Sequence, residues 1–334
     1  MVENPESAPP PLTLSIVIPV YNGASSIADL VRALENLSIA GGHEIVLVND
    51  GSADDSLAVC HALFDKARVP MTIVSLARNY GEHNAVMAGL RYANGGHVIT
   101  MDDDLMNPPE EVQRLLAFAQ RNGKEVVYTY YHDKRHALWR NVASRFANRV
   151  ADFILDKPKG LYLSSFRCMT AFVAREIIRY EGPFPYVDGL ILQVTHDIDR
   201  LLVGHLPRAA GSSNYTVRRL LRLWMNMFVN FSVMPLRIST VTGFVLSAFG
   251  AVGVVMAVGE ALVFSPPPGW ASLMAAVLLL SGMQLLILGI IGEYLGRLYL
   301  TVNRRPQSVV KEVRHTEPQD STAKGSPSWL CTGA

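Results

Sequence analysis

Short apolar runs alternate, along the first half of the chain, with stretches in which apolar residues recur every third or fourth position. Leu14-Ser-Ile-Val-Ile-Pro-Val20 is rich in β-branched residues and predicts a strand. Ile27, Leu30, Val31, Leu34 and Leu37 then fall on one face of a helix, with Ser26 placed to cap it. The unit recurs three times. Glu44 to Asn49 precedes a helix over 54–67, Met71 to Leu76 one over 83–93, and His97 to Met101 one over 108–121 that Asn107 and Pro108 start; Val126 to Tyr131 adds a further strand. Strands alternating with helices imply right-handed βαβ crossovers, hence an α/β domain with a mostly parallel sheet covered on both faces.

The pattern changes in the C-terminal third. Ile238 to Gly259 and Ala261 to Gly292 carry no charged residue, and Ser265-Pro-Pro-Pro-Gly-Trp270 interrupts the second run. Crossing the hydrocarbon core takes roughly 20 helical residues, so a two-helix transmembrane hairpin is expected, with helices over 238–264 and 270–292. Arg218, Arg219, Arg222 and Arg237 precede the first span, and Arg297, Arg304, Arg305 and Lys311 follow the second. The connecting loop has no Lys or Arg, which places both termini in the cytoplasm. Arg218 to Arg237 mixes arginines with Leu220, Trp224, Phe228 and Phe231. It reads as an amphipathic juxtamembrane segment, lying in the membrane interface, packing under the globular domain, or both. A second juxtamembrane segment is expected over 293–315, and disorder over 1–11 and 316–334.

Charge narrows the partners. With 30 basic against 29 acidic residues, the chain is no general nucleic-acid binder. Cys60, Cys168 and Cys331 lack metal-type spacing and suit a reducing compartment. No signal peptide is read at the polar, proline-rich start, which keeps the α/β domain on the cytoplasmic side.

Chemistry gathers where the strands end, the place at which such sheets bind ligands. The four ends carry Pro19-Val-Tyr-Asn-Gly23, Asn49-Asp-Gly-Ser52, Ala77-Arg-Asn-Tyr-Gly-Glu82 and Asp102-Asp-Asp104. Tyr21 can stack, Asp50 can accept from a base edge, Arg78 can pair with a phosphate, and Asp102 with Asp104 can hold a divalent cation on a diphosphate. Each also has a plain alternative: Asp50-Gly-Ser and Asn22-Gly can be turns, and Arg78 a surface ion-pair partner. Neither a Gly-x-Gly-x-x-Gly after the first strand nor a Gly-Lys-Ser/Thr loop is present, so nicotinamide oxidoreductases and P-loop NTPases lose their main support.

Ile18-Pro-Val-Tyr-Asn22, Val48-Asn-Asp-Gly-Ser52, Arg78-Asn-Tyr-Gly81 and Met101-Asp-Asp-Asp-Leu105, in this order, resemble the motifs of family 2 glycosyltransferases with the GT-A (Rossmann-like) fold. Pro207 to Thr216, the two spans and Gly292-Glu-Tyr-Leu-Gly-Arg297 further resemble the bacterial polyprenyl-phosphate glycosyltransferases. These are the dolichol-phosphate mannose synthase-like enzymes and the undecaprenyl-phosphate glucose and aminoarabinose transferases. The resemblance covers residues 12 to 314 and implies a GT-A domain over 12–217. It implies transfer of a sugar from a nucleotide sugar to undecaprenyl phosphate at the inner membrane, with inversion and with Mg²⁺ or Mn²⁺, by a homo-oligomer. It also implies that Pro19, Tyr21, Asn22, Asp50, Arg78, Asp102 and Asp103 bind the nucleotide and that Asp102 and Asp104 hold the metal. Asp104, Arg167 and Arg208 become the catalytic candidates, and Arg208, Ser213, Tyr215 and Arg218 meet the lipid phosphate. Arg167 is either a phosphate-orienting group or half of a structural ion pair, and Arg208 either a ligand or a headgroup-facing arginine.

Two positions depart from the family. Met106 stands where relatives commonly carry a Gln that helps the metal, and a thioether is a poor partner for a hard cation. Ser165 stands where many carry an Asp proposed as base. A phosphate monoester is largely ionised near neutrality, so it needs alignment more than deprotonation. A rival expectation is a membrane-anchored nucleotide-sugar binding protein without catalysis. A processive synthase would carry a Gln-x-x-Arg-Trp motif, which is not found.

Overall fold

The computed structural model describes residues 12–131, 161–204, 234–263, 269–303 and 306–316. Four strands, β1 (Leu14–Val20), β2 (His43–Asn49), β3 (Met71–Leu76) and β4 (His97–Thr100), form the parallel centre of an eight-stranded sheet. β5 (Val126–Tyr130), β6 (Arg167–Thr170), β7 (Ile198–Leu202) and β8 (Val310–His315) complete it in the order β7-β5-β6-β4-β1-β2-β3-β8. β6 runs antiparallel between β4 and β5, and β8 runs antiparallel along β3. The sheet is therefore mixed, with its antiparallel pairings confined to the flanks.

Alternation along β1 explains the layers. Leu14, Ile16, Ile18 and Val20 pack against α1 (Ile27–Glu35), α2 (Ser56–Phe64) and α4 (Glu110–Asn122), whereas Val17 meets the opposite layer. That layer holds α3 (Glu82–Leu90), α5 (Ala171–Ile177) and α6 (Val187–Val194). Every residue of β2 and β3 is buried, as strands covered on both faces require. The expected strands and helices of the first 131 residues are all present, with ends moved by a few residues. Ser26 occupies the N-cap of α1, but its hydroxyl donates to the Gly23 carbonyl and makes no capping bond. Asn107 does not cap α4 either; the N-cap is Pro109, and the buried Asn107 side chain accepts a bond from the Tyr131 hydroxyl at 2.6 Å.

Two long helices follow, α7 (Met234–Val263) and α8 (Trp270–Val302). Phe244, Phe249, Met256, Leu285 and Leu295 are exposed on them. Among the described residues, Leu280–Val302 is long and apolar enough to cross a membrane, and Ser239–Gly250 is a shorter apolar stretch. α8 continues beyond the expected limit at Gly292 because no proline interrupts the chain from Trp270 to Pro306. The expected juxtamembrane segment over 293–315 is thus helix as far as Val302 and, from Val310, a strand of the sheet. The Ala77 amide donates to the Val309 carbonyl, and Gln307 Nε2 to the Tyr180 carbonyl, so this segment is fastened to the domain. Residues 1–11, most of 218–237 and 317–334 lie outside the described residues.

Candidate active site

β1 sends its chain to β2 on one side and is flanked by β4 on the other, so the strand order reverses between β1 and β4. That reversal opens a crevice at the carboxyl ends of the strands. Tyr21 stands half exposed on the β1 side and Asp102 to Asp104 on the β4 side.

The loops bordering the crevice are tied to one another before any ligand arrives. Both oxygens of the buried Asp50 carboxylate accept backbone amides from the turn after β3, Tyr80 N at 2.7 Å and Gly81 N at 2.8 Å. Burial nevertheless pushes its carboxyl pKa upward, with those amides opposing. Gly51 has φ +59, and a side-chain carbon there would lie 2.3 Å from the Arg78 carbonyl carbon. Only glycine lets the Asp-Gly-Ser turn lie against the Arg78 backbone. Arg78 itself is exposed, its guanidinium 4.6 Å from the Tyr80 ring centre. Asn22, at φ +54, directs its side-chain oxygen to Ala53 N at 2.9 Å, while its own amide donates to Ser52 Oγ. Gly23 N donates to Ser56 Oγ and Ala24 N to Asp54. Asn22 is thus a strap between the first two loops, and Asp50 a strap between the second and third.

The acidic turn splits its three carboxylates. Asp103 faces inward: Tyr21 N donates to its Oδ2 at 3.4 Å, and a side-chain carbon at Gly23 would collide with that oxygen at 2.1 Å. Desolvation, with Asp102 and Asp104 adding repulsion, pushes its pKa up to about 7. Asp104 accepts Met106 N at 3.2 Å, closing a tight turn with Leu105 at φ +58. Asp102 accepts the Ser165 hydroxyl at 2.6 Å. No three His, Cys, Asp or Glu side chains converge as a metal cage among the described residues. Two hard carboxylates fit an ion that completes its shell with diphosphate oxygens and water, the habit of Mg²⁺ and Mn²⁺.

A second polar cluster lies on the far side of β6. Arg167 is 2% exposed, paired with Asp188 at the start of α6, and Asp188 also accepts the Tyr128 hydroxyl at 2.9 Å. His83, at the start of α3, is half-buried beside this pair, its ring edge-on to Tyr186 at 5.0 Å between centres. Burial, with Arg167 adding to it, lowers the His83 pKa to about 4 against the pull of Asp188. Arg167 therefore stands as half of an ion pair inside the domain. Pro19 lies within β1, half-buried beneath the crevice. Arg208, Ser213, Tyr215 and Arg218 lie outside the described residues. The hydroxyl of Ser165 on Asp102 and the pairing of Asp188 with Arg167 escaped sequence reasoning, since each joins residues brought together only by the antiparallel β4–β6 pairing or by α6 packing.

A mixed sheet with loop straps and a carboxylate turn at its switch point defines a GT-A-like catalytic domain. The chain belongs to glycosyl transferase family 2, whose family model matches residues 15–179, and it is a glycosyltransferase. It is 34% identical over 314 residues to an undecaprenyl-phosphate 4-deoxy-4-formamido-L-arabinose transferase of Pseudomonas savastanoi pv. phaseolicola, covering 90% of both chains. A protein of the same name from Enterobacter sp. is 31% identical over 90% of this chain and 93% of its own. Glucosyl-3-phosphoglycerate synthase from Mycobacterium tuberculosis, solved with uridine diphosphate, superposes with a TM-score of 0.49 at 19% identity, over 65% of this chain and 78% of that one.

Proposed function

We propose that the enzyme transfers a sugar from a nucleoside-diphosphate donor to undecaprenyl phosphate at the cytoplasmic face of a bacterial inner membrane. The observation that carries the proposal is one chain holding both a strapped crevice at the carboxyl ends of the central strands and two long helices with exposed apolar side chains. The match to undecaprenyl-phosphate transferases runs through both parts. α8, at 33 residues, is about 50 Å long by helix rise, enough to span a bilayer and reach beyond it. With α7 it forms the proposed hairpin, both termini cytoplasmic, and β8 returns the chain to the domain. The proposed domain limits are those of the GT-A unit over 12–217, the interfacial segment over 218–237 and the two spans.

Tyr21 and the strap of Asp50 shape the nucleoside end of the crevice, and Arg78 meets the diphosphate. Bound to Asp102 and Asp104, Mg²⁺ or Mn²⁺ would neutralise charge gathering on the leaving diphosphate. A lipid phosphate oxygen attacks the anomeric carbon while the bond from that carbon to the diphosphate breaks, the electron pair leaving with the nucleoside diphosphate. Configuration inverts, and no proton need be removed from an already ionised phosphate. Ser165 is accordingly not required as a base. Arg208, Ser213, Tyr215 and Arg218 supply the acceptor phosphate with cations and donors near the membrane.

The test is a panel of UDP-, GDP- and dTDP-sugars incubated with the full chain in detergent, undecaprenyl phosphate and Mn²⁺, scored for lipid-extractable sugar. One donor is expected to label the lipid. Nucleotide binding without labelling by any donor would overturn the reading in favour of a non-catalytic binding protein.

A further inference from the structure

Ser165 lies two residues before β6, next to the end of β4, and its position is over-determined. Its carbonyl accepts the Thr100 hydroxyl at 2.6 Å, and the next carbonyl, of Phe166, accepts the Thr129 hydroxyl at 2.6 Å. Ser164 Oγ receives the Phe166 amide at 3.2 Å and can donate its own hydrogen to Thr129 Oγ1 at 3.2 Å. Thr100 is the last residue of β4, two positions before Asp102, and it pairs with Arg167 across the sheet. The backbone at Ser165 is thereby fixed to the strand that carries the acidic turn. From that fixed point its hydroxyl reaches Asp102 Oδ2 at 2.6 Å, a short, charge-assisted bond to a half-buried carboxylate.

We propose that Ser165 is a positioning residue for the metal site: its hydroxyl holds Asp102 Oδ2 and so fixes the direction in which the carboxylate meets the cation that arrives with the donor diphosphate. The inference rests on the proposed metal-assisted transfer. A carboxylate on a free side chain must give up rotational freedom when it captures an ion, and one already held by a donor gives up less. The hydroxyl also supplies a hydrogen where a second carboxylate would add repulsion beside Asp102. Serine at this position therefore has a function of its own, and the position is chemically active without being basic. Groups in this supporting role change metal affinity by roughly 10-fold or more when removed.

The full chain in detergent provides the test, with free Mn²⁺ followed by electron paramagnetic resonance in the presence of UDP, a measurement that needs no turnover. Ser165→Ala is expected to weaken Mn²⁺ binding about 10-fold and to lower kcat while the KM for lipid acceptor stays put. Ser165→Thr keeps the hydroxyl and is expected to stay within about twofold of the parent. UDP binding measured in chelator should be equal in all three proteins, which separates a lost positioning bond from a damaged fold. Equal Mn²⁺ affinity of the alanine variant and the parent would overturn the inference while leaving the metal reading intact, and so would a threonine variant as weak as alanine. A parent protein that binds no Mn²⁺ with UDP would overturn the metal reading, and this inference with it.

Discussion

Two polar regions sit on either side of β6, built from the same kinds of residue, and they have opposite fates. On the β4 side, Asp102 and Asp104 keep part of their surface and border the crevice. On the β5 side, Asp188, Arg167 and Tyr128 are closed off, and the carboxylate is matched by a guanidinium and a phenol. Charge that keeps surface at a crevice can meet a ligand, whereas charge paired inside the domain fixes packing. Proximity to a motif therefore does not make a residue catalytic. Arg167 and Ser165 are near neighbours in sequence, yet only Ser165 touches the acidic turn.

The strongest way to break this contrast is to neutralise one carboxylate on each side and compare activity with stability. Asp104→Asn should lower sugar transfer by about 1,000-fold, through loss of charge at the metal site, while shifting thermal unfolding in detergent little. Transfer within about threefold of the parent would remove Asp104 from the metal site. Arg167→Met should do the reverse. It strands a buried carboxylate, which typically costs about 3–5 kcal/mol, and an Arg167→Met, Asp188→Leu double variant should recover much of that loss. Should Arg167→Met unfold like the parent but stop turnover, the closed cluster would have to be reassigned to catalysis.

A smaller effect distinguishes the regions by pH. His83 is packed, half-buried, against Arg167, Asp188 and Tyr186, and desolvation lowers its pKa to about 4 from an ordinary 6.5. A depressed histidine binds its proton more readily in the unfolded chain. Its contribution to stability is therefore complete above pH 6.5 and is lost as pH falls toward 4. The shift is worth about 3 kcal/mol at 1.36 kcal/mol per unit. His83→Gln should abolish that part of the acid loss, read as the difference between the two unfolding profiles from pH 7 to pH 4.5. Parallel profiles would show that His83 does not carry it.

The parallel centre of the sheet was legible in the sequence because β1 to β4 are apolar, β-branched runs, each followed by a helical period. Of the flanks only β5 was. β6 is four residues long, Arg-Cys-Met-Thr, with an arginine at its head. β8 is Val-Lys-Glu-Val-Arg-His, polar enough to pass for a loop, and it becomes a strand only because β3 offers an unpaired edge. The candidate site divided in the same way. Tyr21, Asp50, Arg78, Asp102 and Asp104 announce themselves by falling on consecutive strand ends. The burial of Arg167 depends on Asp188, 21 residues further on, and the bond from Ser165 to Asp102 depends on a strand pairing that no periodicity signals. Local pattern reads contacts made by neighbouring elements, and misses those set by a return of the chain.

The subtlest contrast between the two regions is in the backbone. Among the described residues other than glycine, only Asn22 and Leu105 have positive φ, and both border the crevice. Asn tolerates that conformation; a leucine held there typically costs about 1–2 kcal/mol. Leu105 is kept in place by packing its side chain against the core that holds Leu115 and Phe166, and by the Met106 amide on Asp104. Leu105→Gly would release the strain and lose the packing, two terms of similar size, so unfolding should move by less than about 1 kcal/mol. The turn would nevertheless be freer to place Asp104, and transfer should fall about 3- to 10-fold, mostly in kcat. A variant destabilised by more than about 2 kcal/mol would mean that Leu105 is chiefly a core residue. One with full activity would mean that the acidic turn is held by its straps alone, Ser165 on Asp102 and Asp103 on Tyr21, and that the strained leucine contributes nothing to the aim of Asp104.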